Sequence, residues 1–94
     1  MVNGHFSPEQ IRSEIKRLIA AVTEREPEEI GDTASFKDDL GVDSLMAMEV
    51  MVWMDKKFNI DVPEEEFTKA TNVEEAVLMV QRYLPQKEAA TANV

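Results

Sequence analysis

Apolar residues recur at helical spacing in three stretches of this 94-residue chain. In the first stretch Ser7 precedes Pro8 and Gln10, a combination typical of a helix N-terminus with a capping box. The apolar positions that follow are three or four residues apart, and they are Ile11, Ile15, Leu18, Ile19 and Val22. This pattern predicts a first helix from about Pro8 to Thr23 or Glu24.

The second stretch predicts a helix over about Ser44–Phe58 that is apolar on almost every side. Between Leu45 and Met54 only Glu49 is polar. At 100° per residue one face collects the predicted core, which is Ala47, Val50, Met51, Met54 and Phe58. A small domain has little room to bury the other apolar side chains. We therefore expect an exposed strip around Glu49 that contains Leu45, Met48 and Val52, with Met46 also outside the core face. Dimerisation through this face is the alternative explanation.

A connection as long as residues 25–42 needs apolar anchors to be held in a compact domain. The candidate anchors are Ile30, Phe36 and Leu40. After the second helix, residues 63–67 predict a short acidic turn or one-turn helix with Phe67 or Ala70 facing inward.

The third helical stretch begins with Thr71-Asn72-Val73-Glu74, which has the spacing of a capping box. Its apolar positions predict a last helix that Pro85 stops, and they are Val73, Ala76, Val77, Val80 and Leu84. No segment alternates as a strand. The sequence therefore predicts an all-α domain of three substantial helices and one short one, followed by a disordered polar tail at 86–94.

Charge and composition narrow the range of partners. Nineteen acidic residues against ten Lys and Arg give a net charge of −9, which disfavours nucleic acid and anionic membranes and favours basic protein partners. The chain has no cysteine, which excludes disulfides and thiolate sites. No apolar run is long enough to span a membrane, and no signal peptide is recognisable. These features predict a cytoplasmic protein, and we expect it to be a monomer.

The chemistry of the chain centres on Ser44, which with Asp43 is predicted to start the second helix. A serine there is exposed and lies at the positive end of the helix dipole, a position that suits a phosphate ester. The only histidine is His5, so no base is expected near Ser44 and an enzyme is disfavoured. The nearby acids Asp32, Asp38 and Asp39 do not have calcium-loop spacing, which leaves open only weak, nonspecific binding of divalent cations.

The residues from Asp39 to Leu45, Asp-Leu-Gly-Val-Asp-Ser-Leu, resemble the attachment motif of acyl carrier proteins, Asp-Leu-Gly-x-Asp-Ser-Leu. The resemblance continues through Glu49, Phe58 and Glu65, and through residues 60–63 and 71–73. It spans roughly residues 11–84, so that a carrier domain at 8–85 follows a short N-terminal extension at 1–7.

This resemblance implies a four-helix acyl-carrier bundle with a long first loop and a short third helix. It implies a non-catalytic protein whose Ser44 carries 4′-phosphopantetheine, transferred from coenzyme A by a phosphopantetheinyl transferase. The thiol of this arm would hold acyl intermediates as thioesters between enzymes of fatty-acid, polyketide or related biosynthesis. In the family Asp43 and the positions of Leu45, Met48, Glu49 and Val52 face partners such as acyltransferases and ketosynthases. An acyl chain sequestered between helices is a further implication of the fold.

The sequence of this chain differs from those of the fatty-acid carriers in two places. Lys56 and Lys57 stand where those carriers are strongly acidic, and Met46 replaces a commonly polar residue. These departures favour a polyketide or other specialised pathway, and the chain is expected to be free-standing. The competing hypothesis is an acidic helical adaptor that binds partners through the apolar face and carries no prosthetic group.

Overall fold

The computed structural model describes residues 6–84, which form a bundle of four α-helices with no strand in that range. The helices are α1 (Pro8–Thr23), α2 (Ser44–Phe58), α3 (Glu64–Phe67) and α4 (Val73–Tyr83). The predicted all-α class and the order of the helices are confirmed. The polar tail at 86–94, Pro85 and His5 lie outside the described residues.

Helix α1 begins as its sequence predicts. The Ser7 hydroxyl accepts a hydrogen bond from Gln10 N at 3.1 Å, and the Gln10 side chain accepts one from Ser7 N at 2.8 Å. The helix ends at Glu24, whose φ of 59° places it in the left-handed region. Ile11, Ile15 and Ile19 are fully buried against α2 and α4, so the three-to-four spacing of the sequence becomes one buried face.

The buried face of α2 is narrower than the sequence predicts. Val50, Met54 and Phe58 are buried, whereas Ala47 and Met51 are half-buried. Phe6, which falls within the predicted N-terminal extension, packs edge-on against Phe58 with ring centroids 4.9 Å apart. Phe58 is thus covered on two sides, which fixes the C-terminal end of α2 in the core.

The long connection between α1 and α2 is held at three apolar side chains. Ile30 and Leu40 are buried, as predicted, and Phe36 is half-buried against the core. Val42 is also buried, which the sequence analysis missed. A short 3-10 turn, Pro27–Glu29, adds local structure that was not predicted either.

Backbone hydrogen bonds and an ion pair also fasten this connection to its neighbours. Phe36 N donates to Thr71 O at 2.9 Å, and Glu74 N donates to Asp32 O at 3.1 Å. The Asp32 carboxylate lies 2.6 Å from the Lys16 ammonium of α1. The loop therefore contacts both α1 and the start of α4, and this holds residues 35–43 in front of α2.

The N-cap of α4 lies one residue after the position that the predicted capping box gives it. The N-cap is Asn72, whose side chain accepts from Glu75 N at 2.9 Å. Glu75 in turn accepts from the backbone N–H and the hydroxyl of Thr71, and these bonds lower the pKa of the Glu75 carboxyl. Asn caps at least as well as Thr, so the capping residue moves to position 72. Met79 is buried on this helix although it was not among the predicted core positions.

Candidate functional site

Ser44 is the first residue of α2 and is exposed, as predicted. Asp43 is the N-cap: its carboxylate accepts from Met46 N at 2.9 Å, and its carbonyl accepts from Ala47 N at 2.9 Å. The first bond satisfies one of the four N–H groups that a helix leaves open at its start, and the second is the first backbone bond of the helix itself. The site therefore places the Ser44 hydroxyl at the positive end of the dipole of α2.

The residues before Ser44 form a tight turn that aims the start of α2. Ser35 N donates to Asp39 Oδ2 at 2.8 Å, and Asp38 N donates to Ser35 Oγ at 3.0 Å. Gly41 follows with a φ of 71°, in the region that favours glycine, although a β-carbon there would meet nothing within 4 Å. The constraint on Gly41 is therefore conformational and not steric crowding.

Val42 completes this turn by anchoring it from inside. Its N–H donates to Phe36 O at 2.8 Å while its side chain is buried. With Val42 held, the two residues that follow emerge at the surface as the N-cap and the first residue of α2. The Asp-Leu-Gly-Val-Asp-Ser run thus has a physical role at each position: turn, anchor, left-handed glycine, anchor, cap and exposed hydroxyl.

The acidic residues of this region have separate structural partners. Asp32 pairs with Lys16 and, at 3.7 Å, with Arg12, and the hydrogen bond from Lys16 lowers the pKa of the Asp32 carboxyl. Asp39 closes the turn and Asp43 caps α2. Within residues 6–84 no three acidic or histidine side chains converge as a metal site would require.

Within residues 6–84 no side chain is hydrogen-bonded to Ser44 Oγ, so no base is in place to activate it. The sequence has no cysteine, and its one histidine is at position 5, outside that range. An unactivated serine hydroxyl is a weak nucleophile, so Ser44 needs another protein to make it react. The geometry suits a point of attachment, and the exposed hydroxyl leaves room for an ester of phosphate beside the helix N-terminus.

A groove of about 640 Å³ opens beside Ser44 and runs between α2 and the segment that carries α3. Its volume is within the usual range of ligand pockets, about 300–1,000 Å³. Its inner wall is apolar and includes Ala47, Met51, Phe67 and Ala70. Ala47 and Met51 are half-buried because they line this groove, which explains why two of the five predicted core positions of α2 are not fully buried.

The outer side of α2 exposes the apolar strip that the sequence predicts. The exposed fractions are 69% for Leu45, 47% for Met48, 50% for Val52 and 57% for Trp53. Glu49 is exposed among them. Met46, which was also placed outside the core face, is half-buried and packs against the core. Trp53 lies next to these residues and extends the exposed apolar surface beyond the predicted strip.

The family model described as the phosphopantetheine attachment site matches residues 13–80. The chain belongs to the acyl carrier protein family. Acyl carrier proteins carry covalently attached 4′-phosphopantetheine and are not enzymes, which confirms the predicted cofactor and the absence of catalytic machinery. The competing hypothesis of an adaptor without a prosthetic group does not fit this family.

Similar proteins support the assignment across most of the chain. Acyl carrier proteins from two strains of Rickettsia bellii are each 36% identical over 75 residues, which is 80% of this chain and 87% or 93% of theirs. A solved structure of acyl carrier protein from Enterococcus faecalis covers 83% of this chain and 99% of its own at a TM-score of 0.71. Its sequence identity is 23%, so this likeness shows that the fold of the acyl carrier protein is shared.

In this acyl carrier protein, the described residues contain no helix that is both long and apolar enough to cross a membrane. The residues present fit the arm: Ser44 is exposed, directly follows the N-cap residue Asp43 and borders an open groove. The arm supplies a thiol, which the cysteine-free chain lacks.

Proposed function

We propose that Ser44 is the residue that carries the 4′-phosphopantetheine of this acyl carrier protein. The observation that carries the proposal is the position of the Ser44 hydroxyl, exposed at the first residue of α2 and inside the stretch matched to the attachment-site family. A phosphopantetheinyl transferase would join Ser44 Oγ to the phosphate of the arm and release the nucleotide part of coenzyme A. Because no side chain within residues 6–84 is hydrogen-bonded to the Ser44 hydroxyl, the transferase would take its proton.

The chain's own part in this reaction is to hold Ser44 still and to stabilise the product. The N-terminal dipole of α2 favours the negative charge of a phosphodiester on Ser44. Asp43 holds the first turn in place through Met46 N, and we assign it a second role in recognition by the transferase. These roles need no chemistry from the carrier itself.

The acyl group would be held as a thioester on the arm, and the groove beside Ser44 would shelter the part of the acyl chain nearest the thioester. The apolar wall at Met51, Phe67 and Ala70 supports this proposal, and so does the opening of the groove at Ser44. Burial there stabilises the acyl chain by about 25 cal/mol for each Å² of its apolar surface that is removed from water. The carrier would then deliver acyl intermediates between enzymes of fatty-acid, polyketide or related biosynthesis.

Leu45, Met48, Glu49 and Val52 are the proposed partner-binding residues. Their exposure beside Ser44 supports this assignment, because an enzyme that reaches the arm must approach this side of α2. The partners would be the transferase, acyltransferases and ketosynthases with basic docking patches, drawn by the charge of −9. The lack of cysteine and the acidic composition support a monomer in the cytoplasm.

Intact mass after incubation with coenzyme A and a broad-specificity transferase tests the attachment residue. We expect the wild type and Ser13→Ala to gain one phosphopantetheine, because Ser13 is an exposed serine on α1 far along the chain from the motif. Ser44→Ala should gain none. Modification of Ser44→Ala, or an unmodified folded wild type, would show that Ser44 is not the attachment residue.

A further inference from the structure

The exposed face of α2 combines apolar and charged residues in a fixed order. At 100° per residue, Leu45, Glu49, Val52 and Lys56 fall within about 60° of one another, so they form a single line along the helix. Met48 and Trp53 flank this line, one on each side. We call these six residues the α2 docking strip.

The strip carries a negative charge near its middle, at Glu49, and a positive charge at its C-terminal end, at Lys56. Glu49 and Lys56 are seven residues apart, which is about 10 Å along the helix axis. No carboxylate or cation within residues 6–84 pairs with either of them. At about 10 Å in water these two charges attract each other only weakly, so each is open to a partner.

The neighbouring charges of α2 are already used inside the protein. Lys57 lies 3.7 Å from Glu14 of α1. Asp55 is half-buried and accepts from Val62 N at 3.3 Å, and burial raises the pKa of the Asp55 carboxyl. Lys56 is therefore the cation of α2 that has no ion-pair partner within residues 6–84, and Asp55 does not neutralise it on the strip.

Trp53 adds an aromatic anchor next to this cation. Lys56 Nζ lies 5.5 Å from the centre of the Trp53 ring, so the two side chains form one surface feature. Exposed tryptophans are enriched among residues that contribute most to interfaces. The exposure of Trp53 is not explained by the fold, whose core is formed on the opposite face of α2.

We propose that the α2 docking strip binds a groove of mixed charge on an acyl-transferring enzyme, with a basic group facing Glu49 and a carboxylate facing Lys56. An apolar pocket between these two groups receives Val52 and Trp53. The proposal rests on the carrier function proposed above and specifies the partner's chemistry. A groove that is basic along its whole length would place a cation against Lys56, at a cost in association rate.

A second copy of the chain is the competing occupant, because an antiparallel pair of α2 helices also brings Glu49 against Lys56. The strip has six residues, however, whereas each side of a stable interface has about 20–30. A contact this small suits a brief encounter with an enzyme better than a permanent dimer.

The test is the rate of acyl transfer to the holo protein by the purified acyltransferase that loads it. In Lys56→Glu we expect kcat/KM to be about tenfold below that of the wild type at low ionic strength. At high salt most of this difference should disappear, because the charges are then screened. Glu49→Lys should show the same salt-sensitive loss. Lys69→Glu makes the same charge change at an exposed lysine outside α2, and should stay within about twofold of the wild type.

The outcomes separate this inference from the carrier function. Intact mass first shows whether each variant accepts phosphopantetheine; a wild type that accepts none contradicts the carrier function itself. With normal loading, an unchanged or faster rate in Lys56→Glu overturns the mixed-charge groove alone. A wild type that sediments as a dimer, with Lys56→Glu monomeric, assigns the strip to a second copy and also overturns the proposal.

Discussion

Helices α1 and α2 have nearly equal lengths, 16 and 15 residues, but use their apolar residues differently. In α1 every isoleucine is fully buried, and no large apolar side chain of the helix is exposed. In α2 only Val50, Met54 and Phe58 are buried, and four large apolar side chains stay exposed on the outer face. Both helices contribute to the same core, so the exposed apolar surface of α2 exceeds what folding requires.

The charged residues of the two helices differ in the same way. On α1, Lys16 pairs with Asp32 and Glu14 pairs with Arg17 and Lys57. On α2, Glu49 and Lys56 have no ion-pair partner within the described residues. Most apolar and charged residues of α1 thus serve the fold, whereas α2, the helix that begins at Ser44, keeps residues of both kinds exposed along its length.

The largest expected effect compares a buried apolar residue of α1 with an exposed one of α2. Ile15→Ala on α1 should lower the free energy of unfolding by about 2–5 kcal/mol, because Ile15 is fully buried and a cavity remains. Val52→Ala on α2 should change it by less than about 0.5 kcal/mol. Urea denaturation measures both. If Ile15→Ala does not fold, Ile15→Val should still cost about 0.5–1.5 kcal/mol. An equal loss in Val52→Ala would place the strip in the core.

The helix caps give an intermediate effect and compare the two N-termini directly. Ser7→Ala and Asp43→Ala should each cost about 0.5–2 kcal/mol, because each removes an acceptor for a first-turn N–H. Under conditions where both variants are folded, only Asp43→Ala should also slow loading of Ser44, measured by intact mass over time.

Asp43→Asn separates the two roles of Asp43. Asparagine caps about as well as aspartate, so stability should stay near that of the wild type. If transferase recognition depends on the charge, loading of Asp43→Asn should still be slow. Normal loading in both Asp43 variants would leave Asp43 with the capping role alone.

The sequence predicts the parts of this fold that depend on local chemistry. The start of α1 follows from Ser7, Pro8 and Gln10, which interact within four residues, and its predicted bounds agree with the structure. The exposed position of Ser44 follows similarly from Asp43 and the helix pattern. These features could be predicted because the residues that determine them are neighbours in the chain.

The features that the sequence analysis missed depend on distant contacts. Val42 is buried because Phe36 and the start of α4 hold the loop against the core, and no periodic pattern marks it. Ala47 and Met51 were assigned to the core, yet the segment around Phe67 leaves a groove in front of them. The cap of α4 is one residue later than predicted because Glu75 bonds with Thr71 while Asn72 provides the cap.

The smallest expected effect concerns the charged residues, and it tests the ion pair between Lys16 of α1 and Asp32. Lys16 holds the pKa of the Asp32 carboxyl below its ordinary value, so the folded state binds the proton less tightly than the unfolded chain. The stabilisation is complete above the ordinary pKa of aspartate, about 4, and is lost as pH falls through the lower folded pKa. Because Asp32 is half-exposed, Asp32→Asn should cost at most about 1 kcal/mol at neutral pH.

Thermal unfolding of the wild type and Asp32→Asn across pH measures this contribution. The two curves should differ above about pH 4 and converge as the pH falls further, since the wild-type carboxyl is then protonated as well. Glu49→Gln on α2 is the matched control, because Glu49 has no ion-pair partner within residues 6–84 and its removal should leave stability unchanged across pH. A pH-dependent loss in Glu49→Gln as large as that in Asp32→Asn would mean that the charges of α2 also support the fold, and the contrast between the two helices would then rest on their apolar residues alone.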